Sequence, residues 1–131
     1  MWRVLIVDDD PQIRQQIKQG LAEIAACTDV TNADDALKTF RQALQSNSPF
    51  DFVLLDVFLA KGKEVGFNIL KQIRLSEEEY KKESSREVFV IMITTYKDSL
   101  MERYNMGWDD FITKPIEVDK LIKHMQVLKP R

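Results

Sequence analysis

Five times along the chain a short apolar run gives way to an amphipathic stretch, and this alternation restricts the fold more than any other feature. Val4-Leu5-Ile6-Val7 is a β-branched run ended by acids, the pattern of a strand buried on both faces in a parallel sheet. Asp10-Pro11 starts a helix, with Asp as N-cap and Pro at the first helical position, and Ile13, Ile17, Leu21 and Ile24 form its apolar stripe. A weaker strand lies around Asp29-Val30-Thr31. Asn32 with Asp35 forms a capping-box variant for a second helix, whose face is Ala36, Leu37, Phe40 and Leu44. Phe52-Val53-Leu54-Leu55 is the third strand, followed directly by Asp56. Phe67, Leu70, Ile73 and Arg74 mark a third helix, and the polar stretch Ser76 to Glu87 reads as its extension or as a solvated loop. Val88 to Ile93 is the fourth strand, Ser99 with Glu102 caps a short helix ended by Gly107, and Phe111-Ile112-Thr113 is a short fifth strand. Leu121, Ile122, Met125 and Leu128 line a last helix. A (βα)5 order with right-handed crossovers predicts an α/β fold with a doubly wound, five-stranded parallel sheet.

The chain has 131 residues, the size of one domain. Hydrophobic residues at 44% and charged residues at 31% are a globular composition. A net charge of −2 argues against direct nucleic-acid contact and against binding an anionic membrane, since both need a basic patch. Phe89-Val90-Ile91-Met92-Ile93, among the longest apolar runs, is far short of a membrane span, and no signal-peptide pattern follows Met1; the expectation is a cytoplasmic protein. Cys27 is the only cysteine, which removes an internal disulfide and a cysteine-based zinc site. It reads as a small apolar core residue. His124, the only histidine, reads as an exposed residue of the last helix, and Trp108 as partly buried beside the last strand.

Sites in open α/β sheets form at the carboxyl ends of strands. Those positions carry Asp8, Asp9 and Asp10, then Asp56, then Thr94 and Thr95, then Lys114-Pro115. Asp10 is accounted for as a helix cap; two further adjacent acids gain nothing from the same cap. Clustered carboxylates need protons or a hard cation, and oxygen donors without histidine or cysteine favour Mg2+. A lysine and a hydroxyl opposite would complete a phosphoryl-binding cradle.

Taken in order, Val7-Asp8-Asp9-Asp10, Asp56, Thr94 and Asp109-Asp110-Phe111-Ile112-Thr113-Lys114-Pro115 resemble the receiver domain of two-component response regulators, over roughly Arg3 to Leu128. The resemblance implies a flavodoxin-like receiver fold, with residues 1–131 forming a single receiver domain and no effector segment. It implies that Asp56 accepts a phosphoryl group from a phosphohistidine of a sensor histidine kinase or histidine phosphotransfer protein. It implies Mg2+ on Asp8, Asp9, Asp56 and the carbonyl of Phe58, with Thr94 and Lys114 on the phosphoryl oxygens. Phe111 would be the switch aromatic, although aromatics in short strands are also ordinary core residues, and Lys114–Pro115 would be cis. The implied role is a regulatory phosphoacceptor and not an enzyme, with a phosphorylation-dependent dimer or effector contact as output.

The sequence departs from the family at Leu59-Ala60, where Met-Pro is common, and along the longer route from Lys61 to Gly66. The Thr94–Lys114 spacing is shorter than usual and the Ser76–Glu87 connection longer. These departures keep open a pseudo-receiver that only binds partners. A haloacid-dehalogenase-type phosphatase is a further alternative, since Asp8-Asp9-Asp10 imitates its Asp-x-Asp start. Asp109-Asp110 precedes Lys114, however, the reverse of that family's order. Phe58, Thr95 and Tyr96 flank the phosphoryl position without a carboxylate or amide to orient water, which predicts a long-lived aspartyl phosphate.

Overall fold

A computed structural model describes residues 1–59, 65–80, 87–95 and 107–130. The strands are β1 (Trp2–Val7), β2 (Ala25–Val30), β3 (Phe52–Asp56), β4 (Phe89–Thr94) and β5 (Asp110–Thr113). The helices are α1 (Pro11–Leu21), α2 (Ala33–Gln45), α3 (Val65–Glu79) and α4 (Val118–Leu128). All strand pairs are parallel and the sheet order is β2-β1-β3-β4-β5, the doubly wound arrangement expected from the alternation. The order reverses at β1, so a crevice opens beyond the carboxyl ends of β1 and β3.

Successive residues of the central strands point to opposite faces and feed two separate core layers. Leu5, Val7, Val53, Leu55, Val90 and Met92 pack with Ala36 and Phe40 of α2 and Ile69, Leu70 and Ile73 of α3. Val4, Ile6, Phe52, Leu54, Ile91 and Ile93 pack with Ile17 and Leu21 of α1 and Leu121 and Met125 of α4. Burial on both faces is why these strands read as continuous apolar runs.

The structure moves several boundaries. The second strand spans Ala25–Val30 and stops before Thr31. Its Ala25, Ala26 and Cys27 give little strand signal; pairing with β1 from Trp2↔Ala25 to Val7↔Val30 makes them a strand. Ile24 belongs to the turn after α1, where its amide donates to Leu21 O at 3.0 Å. Asp10 caps α1 as expected, accepting from the Gln12 amide at 2.9 Å. Asn32 accepts from the Asp35 amide at 2.9 Å, but the Asp35 carboxylate takes the Asn32 side-chain amide and not its backbone N–H. Ser76 and Glu77 are not solvated. Ser76 is buried, donating to Gln72 O and accepting from Arg41 Nε. Glu77 accepts from Arg74 at 2.7 Å and from the Val88 amide at 2.6 Å. Arg74 also donates to Val88 O, Gly107 O and Asp109, fastening α3 to both chain segments that enter β4 and β5. The expected helix at Ser99–Glu102 and most of the route from Ala60 to Gly66 lie outside the described residues.

Candidate functional site

Asp8, Asp9 and Asp56 each place a carboxylate oxygen so that the three lie within 4.8 Å of one another. Asp8 leaves β1 with its amide on Val30 O at 3.2 Å, and its Oδ1 accepts from the Asp10 amide at 2.9 Å. Asp56 closes β3, and its Oδ1 accepts from the Phe58 amide at 3.1 Å. The Val57 amide donates to Ile93 O at 2.9 Å, which holds this bend against β4. Asp8 and Asp56 are buried, whereas Asp9 is exposed. Lys114 Nζ stands 3.4 Å from Asp8 Oδ2 and 3.5 Å from Asp56 Oδ2. Both separations are ion-pair contacts too long for good charge-assisted hydrogen bonds. Among the described residues, the buried Asp8 Oδ2 has no hydrogen-bond donor, only this ion-pair contact with Lys114.

Burial is the main cause that raises the Asp8 carboxyl above the ordinary carboxylate value; Asp9 adds to it, while the Asp10 amide and Lys114 oppose it. Asp56 is raised first by burial and then by the negative charge of Asp8, against Lys114 and the Phe58 amide. One ammonium therefore attends two acids that burial and mutual repulsion keep reluctant to ionise.

Thr94 ends β4 fully buried, and its carbonyl accepts from the Lys114 amide at 2.8 Å. The Lys114–Pro115 bond is cis. Asp9, Asp10, Pro11, Asp56, Phe58, Thr95 and Lys114 line a cavity of about 340 Å3. Asp56 thus opens to solvent space between Lys114 and the β1–α1 loop. Asp10 is engaged as a cap, which leaves no Asp-x-Asp pair free for the phosphatase reading. Phe111, in β5, is half-buried and meets the edge of Trp108, ring centroids 5.5 Å apart and planes at 90°. Tyr96 lies outside the described residues.

Two contacts, one beside the site and one at the amino end of β5, escape sequence reasoning. Arg14 donates to Asp8 O at 2.8 Å and to Asp29 at 3.0 Å, and the second contact depends on β2 lying beside β1. His124 is not simply exposed: its Nδ1 lies 2.5 Å from Asp110 Oδ2. The helical spacing of the last apolar stripe carries no sign of that pair.

The family model for the response regulator receiver domain matches residues 4–126. The transcriptional regulator RpaA of Synechocystis is 31% identical over 133 residues, covering 100% of this chain and 50% of its own. The transcriptional regulatory protein DltR of Streptococcus agalactiae is 31% identical over 129 residues, covering 95% of this chain and 50% of its own. The chain therefore spans about half the length of these curated relatives. Among solved structures, a CheY-like receiver domain from Methanospirillum hungatei superimposes with a TM-score of 0.76 at 26% identity, covering 98% of this chain and 93% of that one. The chain belongs to the response regulator receiver domain family. It is a receiver domain of the two-component signalling type, with the flavodoxin-like fold of that family.

Proposed function

We propose that Asp56 is the phosphoacceptor, taking a phosphoryl group from the phosphohistidine of a sensor histidine kinase or a histidine phosphotransfer protein. One observation carries this reading: Asp56 is the buried acid that also lines the cavity, facing Lys114 and flanked by Asp9. A carboxylate oxygen of Asp56 attacks phosphorus, the P–N bond breaks, and the imidazole leaves with that electron pair. Lys114 balances charge on the incoming phosphoryl oxygens, and the Thr94 hydroxyl is the further donor we assign to them. The Phe58 amide holds one Asp56 oxygen and so fixes the direction of the other.

The donor set fits Mg2+. It offers carboxylate oxygens with no histidine or cysteine among them, and it includes the buried Asp8 Oδ2, which meets Lys114 only at ion-pair distance. Asp8, Asp9, Asp56 and the Phe58 carbonyl are the proposed ligands. When bound, Mg2+ supplies positive charge against the clustered acids and the phosphoryl oxygens. The output is a change at Phe111 and the β5–α4 face that alters self-association or contact with an effector. We assign residues 1–131 to one receiver unit, acting in the cytoplasm as a regulatory acceptor and not as an enzyme, without direct nucleic-acid or membrane contact. Among the described residues no helix is long and apolar enough to cross a membrane.

The test is intact mass after treatment with acetyl phosphate and Mg2+. Wild type gains one phosphoryl group; Asp56→Asn gains none, and Asp9→Ala loses the Mg2+-dependent labelling. Equal labelling of Asp56→Asn and wild type would sink the assignment.

A further inference from the structure

We propose that Arg14 is a positioning residue for the cation pocket, fixing the β1–α1 loop so that Asp8 and Asp9 present their carboxylates together. The proposal rests on the reading of Asp8, Asp9 and Asp56 as that pocket.

Asp9 is exposed, and the backbone just before it sets where its side chain begins. The peptide unit before it is rigid and contains the Asp8 carbonyl. Arg14 donates to that carbonyl at 2.8 Å. On the other side of the same residue, the Asp8 amide is held by Val30 O at 3.2 Å. Both backbone groups of Asp8 are therefore tied, one to β2 and the other to α1.

The guanidinium is itself held. Its Nε donates to Asp29 Oδ2 at 3.0 Å, and Lys18 meets Asp29 Oδ1 at 3.1 Å. Asp29 lies on β2, in register with Ile6 of β1. Burial would raise its carboxyl, but the hydrogen bonds and charges of Lys18 and Arg14 outweigh burial and lower it, so Asp29 stays a firm anion. The Arg14 side chain is only 16% exposed, which limits its alternatives. Arg14 thus joins the first turn of α1, the edge strand β2 and the loop between β1 and α1. A lysine has no fork with which to hold carboxylate and carbonyl at once.

Charge and geometry predict opposite signs, which makes the role testable. A nearby cation repels Mg2+, so removing Arg14 should tighten Mg2+ binding if only charge matters. If Arg14 acts by positioning, removing it loosens binding. Residues that orient metal ligands typically change affinity by about 10–100-fold when mutated, and the expectation here is the lower end, about tenfold.

The experiment is Mg2+ titration by calorimetry of wild type, Arg14→Gln, Asp29→Asn and the double variant, alongside thermal unfolding of the metal-free proteins. Arg14→Gln should raise the dissociation constant about tenfold. Asp29→Asn should shift it in the same direction, and the double variant should lose less than the sum of the two, because both act through one contact. Arg14→Lys keeps the charge and loses the fork; it carries the test if Arg14→Gln does not fold, and wild-type affinity in it would overturn the proposal. Equal or tighter binding by a folded Arg14→Gln would overturn it too, as would fully additive losses. A wild type that takes up no Mg2+ would overturn the pocket reading itself, and this proposal with it.

Discussion

Asp8 and Asp56 are carboxylates kept where ionisation is costly, and stability must follow their titration. For an acid raised above its unfolded value, the favourable contribution is complete below that value, 3.8 here, and is lost as pH rises through the folded value. The metal-free domain should therefore lose stability from this pair on going from acid toward neutral pH, and Mg2+ should restore it at neutral pH. Thermal unfolding at pH 7 with and without Mg2+, for wild type and Asp8→Asn, checks this. Asp8→Asn should melt higher than metal-free wild type and respond less to Mg2+; a lower midpoint for Asp8→Asn at pH 7 would contradict the electrostatic account. Phe58 carries a second expectation at this scale. Phe58 lines the cavity and its side chain offers nothing to orient a hydrolytic water, so Phe58→Asn should shorten the lifetime of the phosphorylated protein about tenfold. Decay measured after donor removal reads this directly. Asp8, Asp9, Asp56, Thr94 and Lys114 were legible because each terminates or follows an apolar strand run. Arg14 was not, because its partners Asp8 and Asp29 come together only when β2 lies beside β1.

Two glycines set how closely elements approach, and they should respond differently to the same substitution. A Cβ on Gly66, near the start of α3, would lie 2.4 Å from Asp56 O and 2.7 Å from Val57 Cα. Both are backbone atoms of the bend that carries Asp56, so neither can yield without moving the site. Gly66→Ala should cost about 1–3 kcal/mol and slow phosphorylation as well. A Cβ on Gly20 would lie 2.4 Å from Val118 Cγ1, 3.0 Å from its Cγ2 and 3.1 Å from its Cβ, a stiff branched side chain at the start of α4 and away from Asp56. There the gain in helix propensity, about 1 kcal/mol, offsets only part of the clash, so Gly20→Ala should lower stability but leave labelling rates intact. Denaturant unfolding and labelling kinetics on both variants make the comparison. Helix starts were readable from Asp10-Pro11 and Asn32 because capping is local chemistry. The length of β2 was not, because Ala25, Ala26 and Cys27 become a strand through their neighbour rather than through their own propensity.

Across the molecule, protection should fall from the centre of the sheet to its edge. Ile6, Leu54 and Ile91 are fully buried in β1, β3 and β4, whereas every residue of β5 is only partly buried. Amide hydrogen exchange should be slowest in β1 and β3 and faster at Phe111 and Ile112, the region assigned to switching. Equal protection in β5 and β3 would argue against a β5 that repacks easily. The five-strand architecture was legible as a whole, since alternation and parallel crossovers leave few topologies. The polar contacts that fasten it, such as Arg74 with Asp109 and His124 with Asp110, join residues distant in the chain and left no local trace. Burial of β1 on both faces has a last consequence. A strand with one wet face keeps its phase because any slip exposes apolar side chains, but β1 is apolar on either side and carries no such guard. Its phase is kept instead by the point at which charge begins. Slide β1 one place inward and Asp8 would have to enter the hydrophobic interior; slide it one place outward and Val7 would take the position of an acid. The same punctuation mark that gives the molecule its chemistry tells its central strand where to stop.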